Sequence, residues 1–148
     1  MDVLTLLADE HGEVKAVFEK LEKAEGAAAT KLWNQLRNML TGHEEREETF
    51  FYPPLKKEPA AKDMILEGYQ EHHVLDLLIE EISNLKPSDE TWAPKIKVLQ
   101  ENTEHHIEEE EGELFPKVRK VWNAARREQV GAQMQEAKGK REKEQRVP

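Results

Sequence analysis

Apolar residues recur along this chain at steps of three and four, the spacing of a helix face, over four long stretches and part of a fifth. In the first, Leu4, Leu7, Val14, Phe18 and Leu21 share a face, with Asp2 placed to cap it and Gly26 to turn the chain, which predicts a helix to about Ala24. The second runs from about Ala27 to Tyr52, with Leu32, Leu36, Met39, Leu40 and Phe50 facing inward, and Pro53-Pro54 are expected to end or kink it sharply. The third, about Ala60 to Leu85, buries Ile65, Tyr69, Leu75, Ile79 and Ile82. Lys86-Pro87-Ser88-Asp89 is turn chemistry, with Ser88 or Asp89 capping a fourth helix. That helix tolerates Pro94 in its first turn and continues through Ile96, Leu99 and Leu114 to Pro116. Val118, Val121, Trp122 and Val130 predict a short fifth helix, whereas Gly139 to Pro148 is too polar to bury anything and is expected to fray. Trp33, Trp92 and Trp122 are assigned to packing, and Tyr52 and Phe115 to closing one end of the bundle, with Tyr52 able to hydrogen-bond inward.

These apolar stripes are interrupted by histidine and glutamate, and once by Thr103 on the fourth helix. The first helix carries His11, the second His43 and Glu47, the third His72, and the fourth His106 and Glu110. His43 and Glu47, like His106 and Glu110, stand four apart and so point the same way. Both pairs belong to a repeated frame, H-x-x-x-E-E-x-x-apolar-aromatic-Pro, whose copies start at His43 and His106, 63 residues apart. Glu10-His11 and Glu71-His72 repeat 61 residues apart, so the chain reads as a duplication forming a pseudo-twofold bundle with antiparallel neighbours. Buried carboxylates are costly unless paired or metal-bound. A single buried histidine is ordinarily a hydrogen-bonded core residue; four of them on four helices, two followed by Glu, point to metal. Imidazole with carboxylate suits iron, manganese or zinc better than calcium or magnesium. Four His and two Glu are too many for one tetrahedral zinc. They fit two metals, each with two His, bridged by both carboxylates, with iron the first choice.

Charge and composition narrow the remaining options. Residues 117–148 hold ten Lys/Arg and four Asp/Glu, net +6, against a whole-chain charge of −9, so residues 1–116 carry −15. An acidic body argues against nucleic acid as a partner, and the basic tail reads as a solvated end. The chain has no cysteine, which excludes disulfides, thiolate ligands and iron–sulfur clusters and fits a cytoplasmic setting. No basic leader and no membrane-spanning apolar run is read from the sequence.

The two H-x-x-x-E copies ending in aromatic-Pro, with a Glu-His pair before each, resemble the hemerythrin-like HHE cation-binding proteins over roughly residues 1–122. The resemblance implies an all-α, up-down antiparallel four-helix bundle with a short C-terminal helical extension. Residues 1–122 would form the bundle and 123–148 a basic, partly helical tail. It implies a cofactor of two iron ions in a non-heme di-iron centre, with His11, His43, Glu47, His72, His106 and Glu110 as ligands and Glu47 and Glu110 as bridges. Oxygen-carrying hemerythrins have a fifth histidine where this chain has Asp76, and an Asp where it has Glu111. Whether Asp76, Glu111, His73 or His105 also ligates is left open.

The functional expectation is a metal-binding protein that binds or senses dioxygen or a related small molecule, rather than a dedicated enzyme. The alternative is a di-iron enzyme for peroxide decomposition or ferrous-iron oxidation. No nucleic acid or membrane partner is expected; a protein partner or a homodimer is left open.

Overall fold

The computed structural model describes residues 1–146, and Val147 and Pro148, the end of the segment expected to fray, lie outside the described residues. The chain is helical almost throughout, with α1 Val3–Glu22, α2 Gly26–Arg46, α3 Tyr52–Lys56, α4 Lys62–Ser83, α5 Trp92–Glu109, α6 Phe115–Val121 and α7 Ala124–Arg146. The Asp2 carboxylate caps α1 by accepting from Leu4 N–H at 2.8 Å. Gly26 takes φ +56° at the α1–α2 turn, the left-handed conformation that side chains disfavour. Asp89 holds the α4–α5 turn by accepting from Lys86 N–H at 2.7 Å, while Thr91 occupies the α5 N-cap without a side-chain bond.

α1 packs on α2 and α4 on α5, and α1–α5 and α2–α4 contacts close the bundle. The core has two parts. One, towards the turns joining α1 to α2 and α4 to α5, includes Phe18, Trp33, Leu36, Ile82, Trp92 and Leu99. The other, under α3, α6 and α7, includes Leu7, Phe51, Leu55, Ile65, Phe115 and Met134. The polar residues of the apolar stripes lie between them. Trp33 and Trp92 meet edge to face at 6.0 Å in the first part, and Trp122 meets Phe51 at 5.9 Å in the second.

Two features depart from the periodicity. The prolines do not stop the second and fourth helices. Each helix passes through one wide turn, Glu47–Phe51 and Glu110–Leu114, in which Tyr52 N–H bonds to Glu47 O and Phe115 N–H to Glu110 O, five residues back. Pro53 and Pro116 then fall at the start of α3 and α6, where a missing N–H is tolerated. Each wide turn inserts a residue and rotates the face. Phe51 and Tyr52 are therefore fully buried, and Phe50, expected inside, is only partly so.

The second departure is the C-terminal extension. α7 runs for 23 residues, longer than the short helix expected, and residues 139–146 continue it rather than fray. It buries Val130 and Met134 against the bundle. Arg127 pairs with Asp2, Lys138 with Glu10 and Arg141 with Glu45. Gly131 allows the approach, because a methyl group there would overlap the Met1 carbonyl. Among the described residues no helix is long and apolar enough to cross a membrane.

Candidate metal centre

The wide turns begin at the two stripe carboxylates, so the backbone distortion sits beside the chemistry. His11, His43, Glu47, His72, His106 and Glu110 are all buried and come together at the middle of the bundle. Glu47 Oε1 lies 3.3 Å from His43 Nε2 and 3.0 Å from His72 Nε2. Glu110 answers with Oε2 at 3.2 Å from His106 Nε2 and Oε1 at 3.2 Å from His11 Nε2. Each carboxylate thus spans a histidine of its own half and one of the other. The His11 and His43 rings are 5.0 Å apart, and so are those of His72 and His106. Among the described residues three groups of side chains are spaced to hold a metal ion; two are buried at this centre, His11, His43 and Glu110, and Glu47, His72, His106 and Glu110, and the third, Glu71, His105 and Glu109, is nearer the surface.

The outer nitrogen of every one of these histidines meets a further carboxylate. His43 Nδ1 is 2.8 Å from Glu10, and His106 Nδ1 is 2.7 Å from Glu71. His72 Nδ1 is 2.8 Å from Glu48, and His11 Nδ1 is 2.7 Å from Glu111. A carboxylate on Nδ1 fixes the ring and leaves Nε2 as the basic nitrogen facing inward, the arrangement metal-bound histidines need. Glu10, Glu48, Glu71 and Glu111 were not singled out for this role in the sequence, although they complete the repeated Glu-His and Glu-Glu pairs. Glu111 engages His11, Asp76 and His73 are exposed, and exposed His105 pairs with Glu109 at 3.0 Å on the surface.

The polar balance of the centre favours positive charge. His11 Nε2, His43 Nε2, Glu47 Oε2 and Glu110 Oε1 are fully buried and make no hydrogen bond, only ion-pair contacts for three of the four, so the polar atoms at the centre are under-satisfied. Burial works against the charged forms, yet in the metal-free protein the ion pairs prevail. His43 is raised to about 10 by Glu47 and Glu10, and His72 and His106 are raised by Glu47 and by Glu110 with Glu47, respectively. Glu47 is held well below the usual carboxylate range by His43, His106 and His72. Glu10 is lowered to about 2, as His43 and Arg46 overcome its burial. Protons here occupy the place that metal cations would take, and metal binding would release them.

Two aromatic residues cap the histidines. Tyr52 stacks on His72 at 5.2 Å and Phe115 on His11 at 6.3 Å. Tyr52 also donates its hydroxyl to Glu110 Oε2 at 2.7 Å, and burial with the Glu110 and Glu47 charges raises the phenol well above its ordinary value. On the other side of the centre is a small cavity of about 20 Å³, walled by the four histidines and by apolar groups such as Leu40 and Leu75.

Comparison with known proteins gives the fold and the family. The crystal structure of a hemerythrin HHE cation-binding domain-containing protein from Mycobacterium kansasii superposes with a TM-score of 0.84 at 21% identity, covering 99% of this chain and 93% of that one, which establishes the common fold. A Nostoc sp. protein called a DNA nickase is 25% identical over 141 residues; the match takes in 95% of this chain but only 40% of that protein. The model of the hemerythrin HHE cation-binding domain matches residues 2–118. With that match over most of its length and a buried histidine–carboxylate cluster spaced to hold metal, the chain belongs to the hemerythrin HHE cation-binding domain family.

Proposed function

We propose that the chain holds a dinuclear non-heme iron centre and uses it to bind or sense dioxygen or a related small molecule. The observation that carries this is the convergence of four imidazole Nε2 atoms and two carboxylates, buried and short of hydrogen-bond partners, beside a cavity of about 20 Å³. His11 and His43 would hold one iron, His72 and His106 the other, and Glu47 and Glu110 would bridge them. The irons would supply reversible or irreversible electron transfer to the bound molecule. The chain's own residues do the rest. Glu10, Glu48, Glu71 and Glu111 orient the imidazoles, Tyr52 holds Glu110, and Leu40, Leu75 and Ile107 supply the apolar part of the cavity wall. A space of that size admits one water-sized or diatomic molecule.

The test is elemental analysis followed by stopped-flow mixing of the reduced protein with dioxygen. Two irons per chain and a fast spectral change are expected; zinc or a single metal, or a reduced protein inert to dioxygen, would sink the proposal. Because carboxylate donors favour ferric iron, the reduced protein is expected to end oxidised and not to release dioxygen on argon sparging. Tyr52, a proton donor 2.7 Å from a bridging carboxylate, favours a second reading in which the centre decomposes peroxide, and steady peroxide turnover would select it. DNA cleavage is not carried over from the Nostoc relative, because residues 1–116 carry net −15 and would repel a phosphate backbone.

A further inference from the structure

One buried acid in the cavity wall has no part in the centre described so far. Glu44 follows His43 on α2, and its side chain is 5% exposed. Its Oε1 is completely buried and has no hydrogen-bond partner. It lines the same small cavity as His11, His43, His72 and His106. Thr103, another lining residue, has a second buried, unpartnered oxygen. Among the described residues no Lys or Arg forms an ion pair with Glu44, and its charged neighbours are the carboxylates of Asp76, Glu47 and Glu48. A carboxyl placed among carboxylates, with one buried oxygen unpartnered in the wall of the cavity that the four histidines share, sits where a cation is wanted.

The fold does not require an acid at this place. The duplicated position in the second half, one residue after His106, is Ile107, which is equally buried and lines the same cavity. The bundle therefore packs with an apolar group there, and Glu44 is an addition peculiar to the first half.

We infer that Glu44 is a seventh protein ligand of the dinuclear centre, contributing Oε1 to the face that opens on the cavity. The inference rests on the dinuclear reading above. An added carboxylate would occupy a coordination position otherwise left to solvent or an external anion and would strengthen binding of one of the two irons.

Anaerobic ferrous titration of the wild type, Glu44→Gln and Glu44→Asp against a chelator tests it, together with azide binding to the ferric forms. Gln keeps the shape and loses the charge; Asp keeps the charge and withdraws it by one methylene. Both are expected to weaken one iron by about tenfold or more, the scale on which even outer-shell changes act, and to bind azide more tightly through the vacated position. If Glu44→Asp holds both irons and azide as the wild type does, the carboxyl acts only through its charge and the inference is overturned. Wild-type iron affinities and azide binding in Glu44→Gln overturn it as well. Fewer than two irons in the wild type would overturn the dinuclear reading and this inference with it. Should Glu44→Gln fold poorly, Glu44→Ile, the residue type of the second half, serves in the same assay with the same expectations.

Discussion

The two halves of the molecule match in the groups that face the centre and differ in what surrounds them. Glu10 holds His43 as Glu71 holds His106, and Glu48 reaches across to His72 as Glu111 reaches across to His11. Yet Glu44 corresponds to Ile107, Arg46 to Glu109, Tyr52 to Phe115, and Leu7 to Gly68. The first half sets two cations on its orienting acid, since Arg46 lies 2.9 Å and Lys138 3.3 Å from Glu10. Glu71 has no such cation among the described residues and faces His105 and Glu109. The halves share the donors that the two proposed metal positions need, while their surroundings differ. The two positions should therefore differ in affinity and in access even though their histidines are alike.

The largest expected effect breaks the pairing itself. His11→Ala and His43→Ala should each lose the metal of one position, and His72→Ala and His106→Ala the metal of the other, leaving about one metal per chain in all four. Glu47→Ala and Glu110→Ala, which remove a group shared by both, should lose both. Metal analysis after ferrous reconstitution checks this; four histidine variants that all lose both metals would show that the positions are not separable.

The next effect concerns what metal replaces. In the metal-free protein the raised His43 group stabilises the fold fully below its unfolded value of 6.5, and this is lost as pH rises through about 10. Glu44, raised from 4.5 to about 10 by burial and by Asp76, has the same sign: it costs stability as pH rises above 4.5. Glu10, lowered from 4.5 to about 2, contributes above 4.5 and loses its contribution as pH falls towards 2. Metal-free protein should thus be most stable at mildly acid pH, with Tm falling from pH 6.5 towards 10. Metal should raise Tm throughout, and most on the alkaline side, where protons no longer compete for the imidazoles. A metal-free Tm that stays flat from pH 6.5 to 10, followed by calorimetry, would count against a cluster held together by protonated histidines.

The six stripe residues were legible in the sequence because histidine, twice followed by glutamate four residues on, broke an otherwise apolar period on every long helix of the bundle. The fold was legible for the same reason. The four orienting carboxylates were not, because Glu10, Glu48, Glu71 and Glu111 lie one residue away from the stripe, where acidic residues ordinarily face water. Their signal was the duplication, which repeated the neighbours as faithfully as the ligands. The wide turns escaped because a 3.6-residue period assumes a regular helix; Phe51 in place of Phe50 is the visible consequence. The length of α7 escaped because few apolar residues hold it. Arg127, Lys138 and Arg141 dock it through charge, and charge in a sequence reads as solvation.

A middle-sized effect comes from the aromatic caps. Tyr52→Phe would make the first half resemble the second, keeping the ring on His72 and removing the hydroxyl from Glu110. The loss of a hydrogen bond to a buried carboxylate should lower metal-free stability by about 2 kcal/mol, roughly 4–8 °C in Tm. Gly68 tests the same contact from the other side, since a Cβ there would lie 2.8 Å from Tyr52 Oη. Gly68→Ala should destabilise the wild type and be partly relieved in the Tyr52→Phe background, where only the ring, at 3.0 Å and beyond, remains to clash. Equal effects of Gly68→Ala in both backgrounds would show that the hydroxyl is not what Gly68 accommodates.

The smallest effect separates the halves at a distance from the metals. Lys138 reaches from α7 to Glu10 Oε2, and its side chain is 31% exposed, so the pair is partly screened and worth at most about 1 kcal/mol. Lys138→Ala should lower Tm by a few degrees at most. Its influence on metal should have the opposite sign. Lys138 draws charge from the carboxylate that holds His43 Nδ1, so without it Glu10 is a stronger acceptor and His43 Nε2 a better donor. A positive charge near the first position is also removed. Affinity at that position should rise, by less than about tenfold because the lysine is about a third exposed to solvent and salt. The second position, with no lysine on Glu71, should not change. Titration of the variant with ferrous iron at low and high salt reads both positions. If both positions tighten together, or if the gain persists undiminished at high salt, the two halves are not electrostatically distinct in the way their surroundings imply.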